Sequence, residues 1–217
     1  DNSTWSTLES YAVSKAFNIT NFTGAGCTST GGTRTVYVRF KDLAGNVTSS
    51  VNDTITYNNV VTTLANGSDP SSATLAPGAT ATFIDAFTLQ TSTGTDIITA
   101  VTVSMTNASS TSLLEITNNI GSIIYGSSSN PTGSSIAVTL NNNTLTATSG
   151  ITQYKIRVTP KTQANMPIGD LGQNYSVTAS VASFTGTAGQ AGSDSSGATL
   201  TIDNLVASST SVLSVPE

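Results

Sequence analysis

The stretch "TVYVRFKDLAGNVTSS", residues 35–50, predicts a β-strand followed by a tight corner. Residues 36–40 are β-branched or aromatic apart from one Arg, which is typical of a half-buried strand. Asp42, Gly45 and Asn46 then supply residue types that turns prefer. The stretch therefore looks like the closing half of a small all-β domain, although only 34 residues precede it.

The residues on either side of this stretch predict few further strands. Residues 47–57 indicate a short link and a final strand, residues 11–20 indicate one strand upstream, and Trp5 is a bulky core candidate. An Ig-type sandwich needs about seven strands, and this region offers about three or four. We therefore expect residues 1–58 to form a partial Ig-like domain that lacks its first strands.

From Val60 onward the strand pattern restarts and continues for longer. The strand candidates are residues 80–91, 97–106, 113–117, 122–125, 136–140, 152–159, 175–184 and 198–202. Turn signals such as "LAPGAT" and "STGTD" separate them at intervals of about 8 to 12 residues, and no segment has convincing helical periodicity. Residues 59–204 are therefore predicted to form a larger Ig-like sandwich, so that the chain is all-β with two tandem antiparallel β-sandwich domains.

Composition narrows the classes of partner. Charged residues make up 9% of the chain, the net charge is -5, and hydrophobic residues make up 37% with a mean hydropathy of +0.05. The apolar content is enough to build cores, so wholesale disorder is not expected. The acidic balance disfavours nucleic acid or an anionic membrane as partner.

The cysteine and histidine content and the lengths of the apolar runs argue against disulfides, zinc sites and membrane-spanning helices. Cys27 is the single cysteine and His is absent, so no intrachain disulfide and no zinc site of the usual Cys/His spacing is expected. No apolar run approaches the roughly 18 residues of a membrane span, and the N-terminal residues given do not have the pattern of a basic-then-apolar leader, so any such signal would lie outside them. We therefore expect packing and β-ladders to hold the fold.

Two segments carry a resemblance to a known group of proteins. "DNSTWSTLESYAVSKAFNI" with "GGTRTVYVRFKDLAGNVTSSVNDTITY" resembles the C-terminal half of the Ig-like or fibronectin-III-like repeats of large bacterial and archaeal cell-surface proteins. The likeness covers residues 1–58 and is most specific over residues 33–47. Residues 60–204 are similar to another sandwich repeat found beside such domains. The resemblance implies an extracellular, cell-surface protein.

A sandwich without its first strands exposes edge backbone and an apolar groove, which something must cover because unpaired buried polar groups cost about 1–3 kcal/mol each. Residues 205–217 are a candidate donor strand with apolar positions. These positions are Val206, Val212, Leu213 and Val215. The acceptor core is predicted from Trp5, Val36, Val38 and Phe40. Exchange of the tail between copies predicts a head-to-tail homopolymer built by donor-strand complementation.

Two alternatives to this filament subunit stay open. The first is a window of a large multidomain surface adhesin, in which covalent neighbours supply the missing strands. A carbohydrate-binding accessory module, with glycans as partners, is the other alternative. It would need exposed aromatic residues on one face, whereas the chain has one Trp and six Tyr.

Asn-x-Ser/Thr triplets are dense, which suggests a glycoprotein, although several would arise by chance in so Ser- and Thr-rich a chain. The candidate N-glycosylation sites are Asn2, Asn18, Asn21, Asn46, Asn52, Asn66, Asn107, Asn142 and Asn174. The simpler interpretation of several of them, Asn46 above all, is as turn or strand-edge polar residues.

No catalytic residues are predicted, and the protein is not expected to be an enzyme. The carboxylates are scattered singly along the sequence, so no local spacing suggests an acid/base pair, and a Ser nucleophile would have only Lys as base. The carboxylates concerned are Glu9, Asp85, Asp96, Glu115, Asp170 and Asp194.

No cofactor is predicted, and calcium is the best candidate ligand because hard oxygen donors are plentiful. One possible set is Asp42, Asn46 and Asp53, and another is Asp69 with Asp203. Each of these residues is more often a turn former, so no metal ligand is assigned from the sequence.

Overall fold

The computed structural model describes residues 5–16, 32–57, 59–167, 172–195 and 197–204. The described residues form β-strands and two single-turn 3₁₀ helices, Ala108–Ser110 and Gln163–Asn165, so the all-β prediction is confirmed. The chain divides into two compact units, Asp1–Val60 and Val61–Glu217. The predicted count of tandem sandwiches, and the incompleteness of the first, remain predictions.

The first unit contains an antiparallel hairpin of β1 (Gly32–Val38) and β2 (Val51–Tyr57). The register runs from Gly32 opposite Tyr57 to Val38 opposite Val51. Residues 11–16 form no strand, so that part of the strand predicted for residues 11–20 is wrong. Within the described residues, β1 and β2 pair only with each other.

The second unit contains fourteen strands among its described residues. These are β3 (Val61–Asn66), β4 (Ala73–Leu75), β5 (Thr82–Thr91), β6 (Thr95–Ile98), β7 (Ala100–Met105), β8 (Thr111–Asn118), β9 (Ile124–Ser129), β10 (Ser135–Thr139), β11 (Leu145–Thr148), β12 (Thr152–Pro160), β13 (Tyr175–Val177), β14 (Ala179–Thr185), β15 (Gly189–Ser193) and β16 (Leu200–Ile202). The main sheet has six strands in the order β15-β3-β5-β12-β8-β9. Smaller sheets are β10-β7-β14, β13-β16-β4 and β11-β6.

One hydrophobic cluster joins the main sheet to the smaller sheets. It contains fully buried residues of β5 and β12, such as Phe87 and Ile156, together with Val103 of β7 and Leu200 of β16. The ring of Phe87 stacks on that of Tyr154 with centroids 5.6 Å apart. Because burying each large apolar side chain contributes about 1.5–3 kcal/mol, this cluster is the main source of stability in the second unit.

The ladders differ from the expected all-antiparallel pairing in two places. Strand β15 runs parallel to β3, and β16 runs parallel to β4. Neither β3, β4, β11 nor β15 was predicted as a strand. Their short or Gly- and Ser-containing sequences lack a strong local signal, and tertiary pairing decides their conformation.

The segment predicted as a single strand over residues 97–106 is broken at Thr99. The preceding strand β6 pairs with β11, whereas the following strand β7 pairs with β10 and β14. Thr99 itself donates its amide to Thr185 O and accepts from Leu140 N, each at 2.8 Å. The chain thus changes sheets at one residue without leaving backbone groups unpaired.

The buried carboxylate of Asp96 fixes the turn that leads into β15. It accepts hydrogen bonds from Thr62 Oγ1 at 2.7 Å, from Thr187 N at 2.6 Å and Thr187 Oγ1 at 2.8 Å, and from Ala188 N at 3.1 Å. Burial acts to raise the pKa of Asp96, but these hydrogen bonds outweigh it and hold the pKa below its ordinary value. A Cβ at Gly186 would lie 2.4 Å from Asp96 Oδ2, so only glycine fits there.

Candidate functional site

The hairpin of the first unit has one apolar and one polar face. Directly opposed residues of an antiparallel pair share a face, so the register places eight residues on the first. They are Gly32, Arg34, Val36, Val38, Val51, Asp53, Ile55 and Tyr57. The other face carries Thr33, Thr35, Tyr37, Asn52, Thr54 and Thr56. We call Val36, Val38, Val51 and Ile55 the hairpin apolar face.

Part of this face is uncovered, although Arg34 is buried and Val36 and Tyr57 are half-buried. Val38 is 41% exposed, Val51 60% and Ile55 49%, and Phe40, just beyond β1, is 50% exposed. Among the described residues of the first unit, no apolar side chain is buried. An uncovered run of this kind is what an interaction surface presents.

The predicted acceptor-core residues lie around the hairpin but do not form a closed core among the described residues. Trp5 is half-buried, with the Arg39 guanidinium 4.0 Å from its ring centroid. Phe40 packs against Tyr11 with ring centroids 6.1 Å apart. Val36 is half-buried and Val38 exposed. Their role as an acceptor core stays a prediction, and the donor residues 205–217 lie outside the described residues.

The corner after β1 is closed by Asp42 and Asn46. Asp42 Oδ1 accepts from Asn46 N and its Oδ2 from Asn46 Nδ2, both at 2.8 Å. These bonds lower the pKa of Asp42. Asp53 Oδ1 accepts from Thr54 N at 2.8 Å. In the first calcium set considered from the sequence, Asp42 and Asn46 are thus engaged in the corner, and Asp53 in a local bond within β2. Among the described residues, no three His, Cys, Asp or Glu are grouped as metal ligands.

The candidate glycosylation sites within the described residues are all exposed: Asn46, Asn52, Asn66, Asn107, Asn142 and Asn174. Several side chains are engaged in hydrogen bonds. Asn46 Nδ2 binds Asp42, Asn66 Nδ2 binds Asp69, and Asn107 Nδ2 binds Ser176 O. The sites Asn2, Asn18 and Asn21 lie outside the described residues, and glycosylation stays a prediction.

The fold brings together two carboxylates that the sequence presented as scattered. Asp85, on β5, is fully buried, and Asp194 follows β15. Burial raises the pKa of Asp85 to about 8, and the neighbouring carboxylates of Asp194 and Asp69 act in the same direction. Burial also raises the pKa of Asp194. The one sequence feature that could have indicated a buried carboxylate is Asp85 itself, a charged residue inside the apolar run "TFIDAFTL".

This pair does not resemble the carboxylates of a glycosidase. A polysaccharide has to reach both carboxyl groups, and the Asp85 side chain is closed off from solvent. The first calcium set considered from the sequence lies in the other unit, whereas one residue of the second set, Asp69, lies beside the pair. Asp69 is therefore part of the same acidic cluster.

Comparisons with known proteins add little. No protein family matches the chain, and no curated protein matches it. Among solved structures, one match is a chain from the crystal structure of a variant CaDoc0917 in complex with CaCohA2 at pH 5.5. The match covers 65% of this chain and 99% of that chain, at 11% identity and a TM-score of 0.31. A score this low establishes neither a shared fold nor a shared function.

The described residues contain no helix with the length and apolarity that a bilayer crossing requires.

Proposed function

We propose that this chain is a structural subunit of an extracellular cell-surface filament, which assembles head-to-tail when a β-strand from one copy covers the hairpin of the next. The observation that carries the proposal is the hairpin apolar face, which is exposed in a unit whose described residues bury no apolar side chain. The other unit has a closed hydrophobic core of its own and needs no such partner.

The hairpin offers both components of a strand-addition site. Each of its strands has an edge free of pairing among the described residues, so an added strand can extend the ladder by main-chain hydrogen bonds. The apolar face supplies contacts for alternate side chains. Since Val38, Val51 and Ile55 are already partly covered, completing their burial contributes roughly 1 kcal/mol each.

The donor in this proposal is the segment 205–217. Leu213 and Val215 are two residues apart, so in an extended strand both side chains point to the same face, while Ser214 points to the other. Two apolar side chains on one face match an apolar acceptor. A donor in one copy and an acceptor in the next make a heterologous contact, which propagates into a filament.

Negative-stain electron microscopy of the assembled protein tests the mechanism with matched variants. Leu213→Lys and Val215→Lys should abolish filaments, whereas Ser214→Lys, on the opposite face of the same strand, should preserve them. On the acceptor, Val38→Asp should block assembly and Thr35→Asp should not. Filaments that survive both Leu213→Lys and Val38→Asp would rule out this exchange.

Trp5 fluorescence gives a second measurement. Trp5 is half-buried beside Arg39, so covering the hairpin should shift its emission to shorter wavelength on assembly. If Trp5 in the polymer still emits at the wavelength of a water-exposed indole, the first unit is not covered on assembly, which would contradict the proposal. The same experiment on a longer polypeptide tests the adhesin-window alternative, because covalent neighbours would shift the emission in the monomer.

The carbohydrate-binding alternative has weaker support. One open depression in the second unit, about 530 Å³, is lined by Ser112, Asn130, Thr159, Lys161 and their neighbours, without an aromatic side chain. Recognition sites for small ligands are usually lined by apolar and aromatic groups. Glycan-array binding by the unassembled protein would favour this alternative.

A further inference from the structure

The acidic cluster in the second unit lies where the sheet should be apolar. Asp85 stands opposite Ile156 of β12, next to a β-bulge in the pairing of the two strands. Its neighbours Ile84, Ala86 and Phe87 are fully buried, and so is Asp85. A carboxylate held in such surroundings costs several kcal/mol unless something compensates its charge.

The carboxylate oxygens lack the partners that buried oxygens normally have. Neither Oδ1 nor Oδ2 of Asp85 accepts a hydrogen bond of normal geometry from an N–H or hydroxyl of the described residues, and the same holds for Asp194 Oδ1. The carboxyl groups of Asp85 and Asp194 lie close enough to interact directly, and the Gly197 amide lies near Asp85. Asp194 Oδ2 does accept a hydrogen bond, from Val181 N at 2.7 Å. Three oxygens with open coordination therefore remain at this place, whereas most buried polar atoms in proteins are paired.

The surrounding charge is negative. Asp69 and Asp194 are the charged groups that act on Asp85, and the two ion pairs among the described residues, Glu9 with Lys15 and Glu115 with Arg157, involve other side chains. Asp69 is held beside the site because its Oδ1 accepts from Ala86 N at 3.0 Å. Three acids that have no basic partner among the described residues attract a cation.

We propose that Asp85 and Asp194 bind a divalent cation, with Ca²⁺ as the preferred ion, in the interior of the second unit. Asp69 adds negative charge but is not a direct ligand, because its oxygens are engaged by Ala86 N and Asn66 Nδ2. Backbone carbonyl oxygens and water complete the coordination. The proposal is independent of strand donation by the first unit.

The donor set selects the class of ion. All of the open donors are carboxylate oxygens, with no His or Cys beside them, which favours hard cations over zinc or copper. Ca²⁺ suits the site better than Mg²⁺ because it accepts irregular geometry and bidentate carboxylates. Mg²⁺ gives up its water shell reluctantly and is therefore less suited to a site closed off from solvent.

The position of the site gives the ion a structural role. Asp85 belongs to the centre of the main sheet, whereas Asp194 directly follows the edge strand β15. The segment after Asp194 returns to the sheet, where Ala198 N donates to Ile84 O at 2.8 Å. A Cβ at Gly197 would lie 2.8 Å from Asp69 Oδ1, so the chain passes close to the acids. The ion would tie this connection to β5.

Thermal unfolding of the full chain after treatment with chelator tests the proposal. Addition of CaCl₂ should raise the melting temperature of the second unit, MgCl₂ should raise it less, and chelator should reverse the effect. Titration calorimetry should then show a single Ca²⁺ site. Asp85→Asn and Asp194→Asn should each weaken Ca²⁺ binding by at least about tenfold, since each removes a charged ligand.

The matched control is Asp53→Asn, which removes an exposed carboxylate of the hairpin and should leave the calcium response unchanged. If Asp85→Asn does not fold, Asp194→Asn, at a half-buried position, still tests the site. The proposal is overturned if neither ion changes the wild-type melting temperature, or if both Asn variants keep the full response. A wild-type protein that ignores both ions while Asp85→Asn melts higher would show that the two acids share a proton instead.

Discussion

The two units use similar strand sequences with opposite results for their apolar side chains. Val36 and Val38 of β1 are half-buried or exposed, whereas Val101 and Val103 of β7 are fully buried. Both pairs alternate with Thr, Tyr or Ser along the strand. The difference lies in the second layer, because β7 faces a main sheet and the described hairpin faces none. Alternation therefore predicts a strand but does not show what covers it.

The largest expected effect is loss of the core of the second unit. Phe87→Ala should destabilise that unit by about 3–5 kcal/mol, because it leaves a cavity where the ring now packs on Tyr154. The midpoint of urea unfolding followed by far-ultraviolet circular dichroism measures this. Trp5 is the single tryptophan, so its emission serves as the control that the first unit is unaffected. A loss below about 1 kcal/mol would contradict a closed core.

The next effect concerns the Asp96 turn. Asp96→Asn should destabilise the second unit by about 1–2 kcal/mol. The amide oxygen can still accept from Thr187 and Ala188 at the Oδ1 position, but those bonds lose their ionic character, and the amide nitrogen at the Oδ2 position cannot accept from Thr62 Oγ1. The same unfolding measurement applies. Asp53→Asn, which removes an exposed carboxylate, should change stability by less than about 0.5 kcal/mol and is the matched control. Equal effects of the two variants would contradict a special role of Asp96.

A smaller effect is expected from acid. Since the folded pKa of Asp96 lies below its ordinary value of 3.8, the unfolded chain binds the proton first as the pH falls. The stabilisation by Asp96 is therefore complete above 3.8 and is lost as the pH falls through the lower folded value. Unfolding midpoints of wild type and Asp96→Asn should converge in that acid range. A constant difference down to the lowest pH would contradict the lowered pKa.

The smallest effect is expected on the hairpin apolar face. Val38→Thr keeps the side-chain shape and changes a residue that is already partly exposed, so in the unassembled protein it should alter stability by less than about 0.5 kcal/mol. Trp5 emission against urea concentration measures it. If Val38→Thr instead lowered the free energy of unfolding as much as a substitution in the core of the second unit, the monomer would already cover this face. The difference in burial between the two units would then not hold.

The sequence predicted those strands whose local signal was strong. The candidate over residues 80–91 corresponds to β5 (Thr82–Thr91), and that over 152–159 to β12 (Thr152–Pro160), because both are long β-branched and apolar runs. Strand β15, with sequence "GQAGS", was missed because Gly and Ser indicate a loop. Its conformation comes from pairing with β3 and from the Asp96 turn, and both are contacts between distant parts of the chain.

For the candidate sites, too, the sequence predicted the features set by local pattern and missed those set by contacts between distant residues. The alternating pattern predicted Val36 and Val38 as interior residues of a domain, but it could not indicate that the described hairpin leaves them without a covering layer. Asp85 and Asp194 are far apart in the sequence, so no spacing rule could pair them. Their proximity depends on the bulged register of β5 with β12 and on the return of the chain after β15.

The change of sheet at Thr99 has a mechanical consequence. Because β6 and β7 are consecutive except for this residue, their two sheets are joined by a single covalent step as well as by side-chain contacts. A load that tries to slide one sheet over the other must stretch backbone at Thr99 and break its bonds to Thr185 and Leu140. The second unit should therefore resist shear better than a sandwich whose layers are linked only through loops.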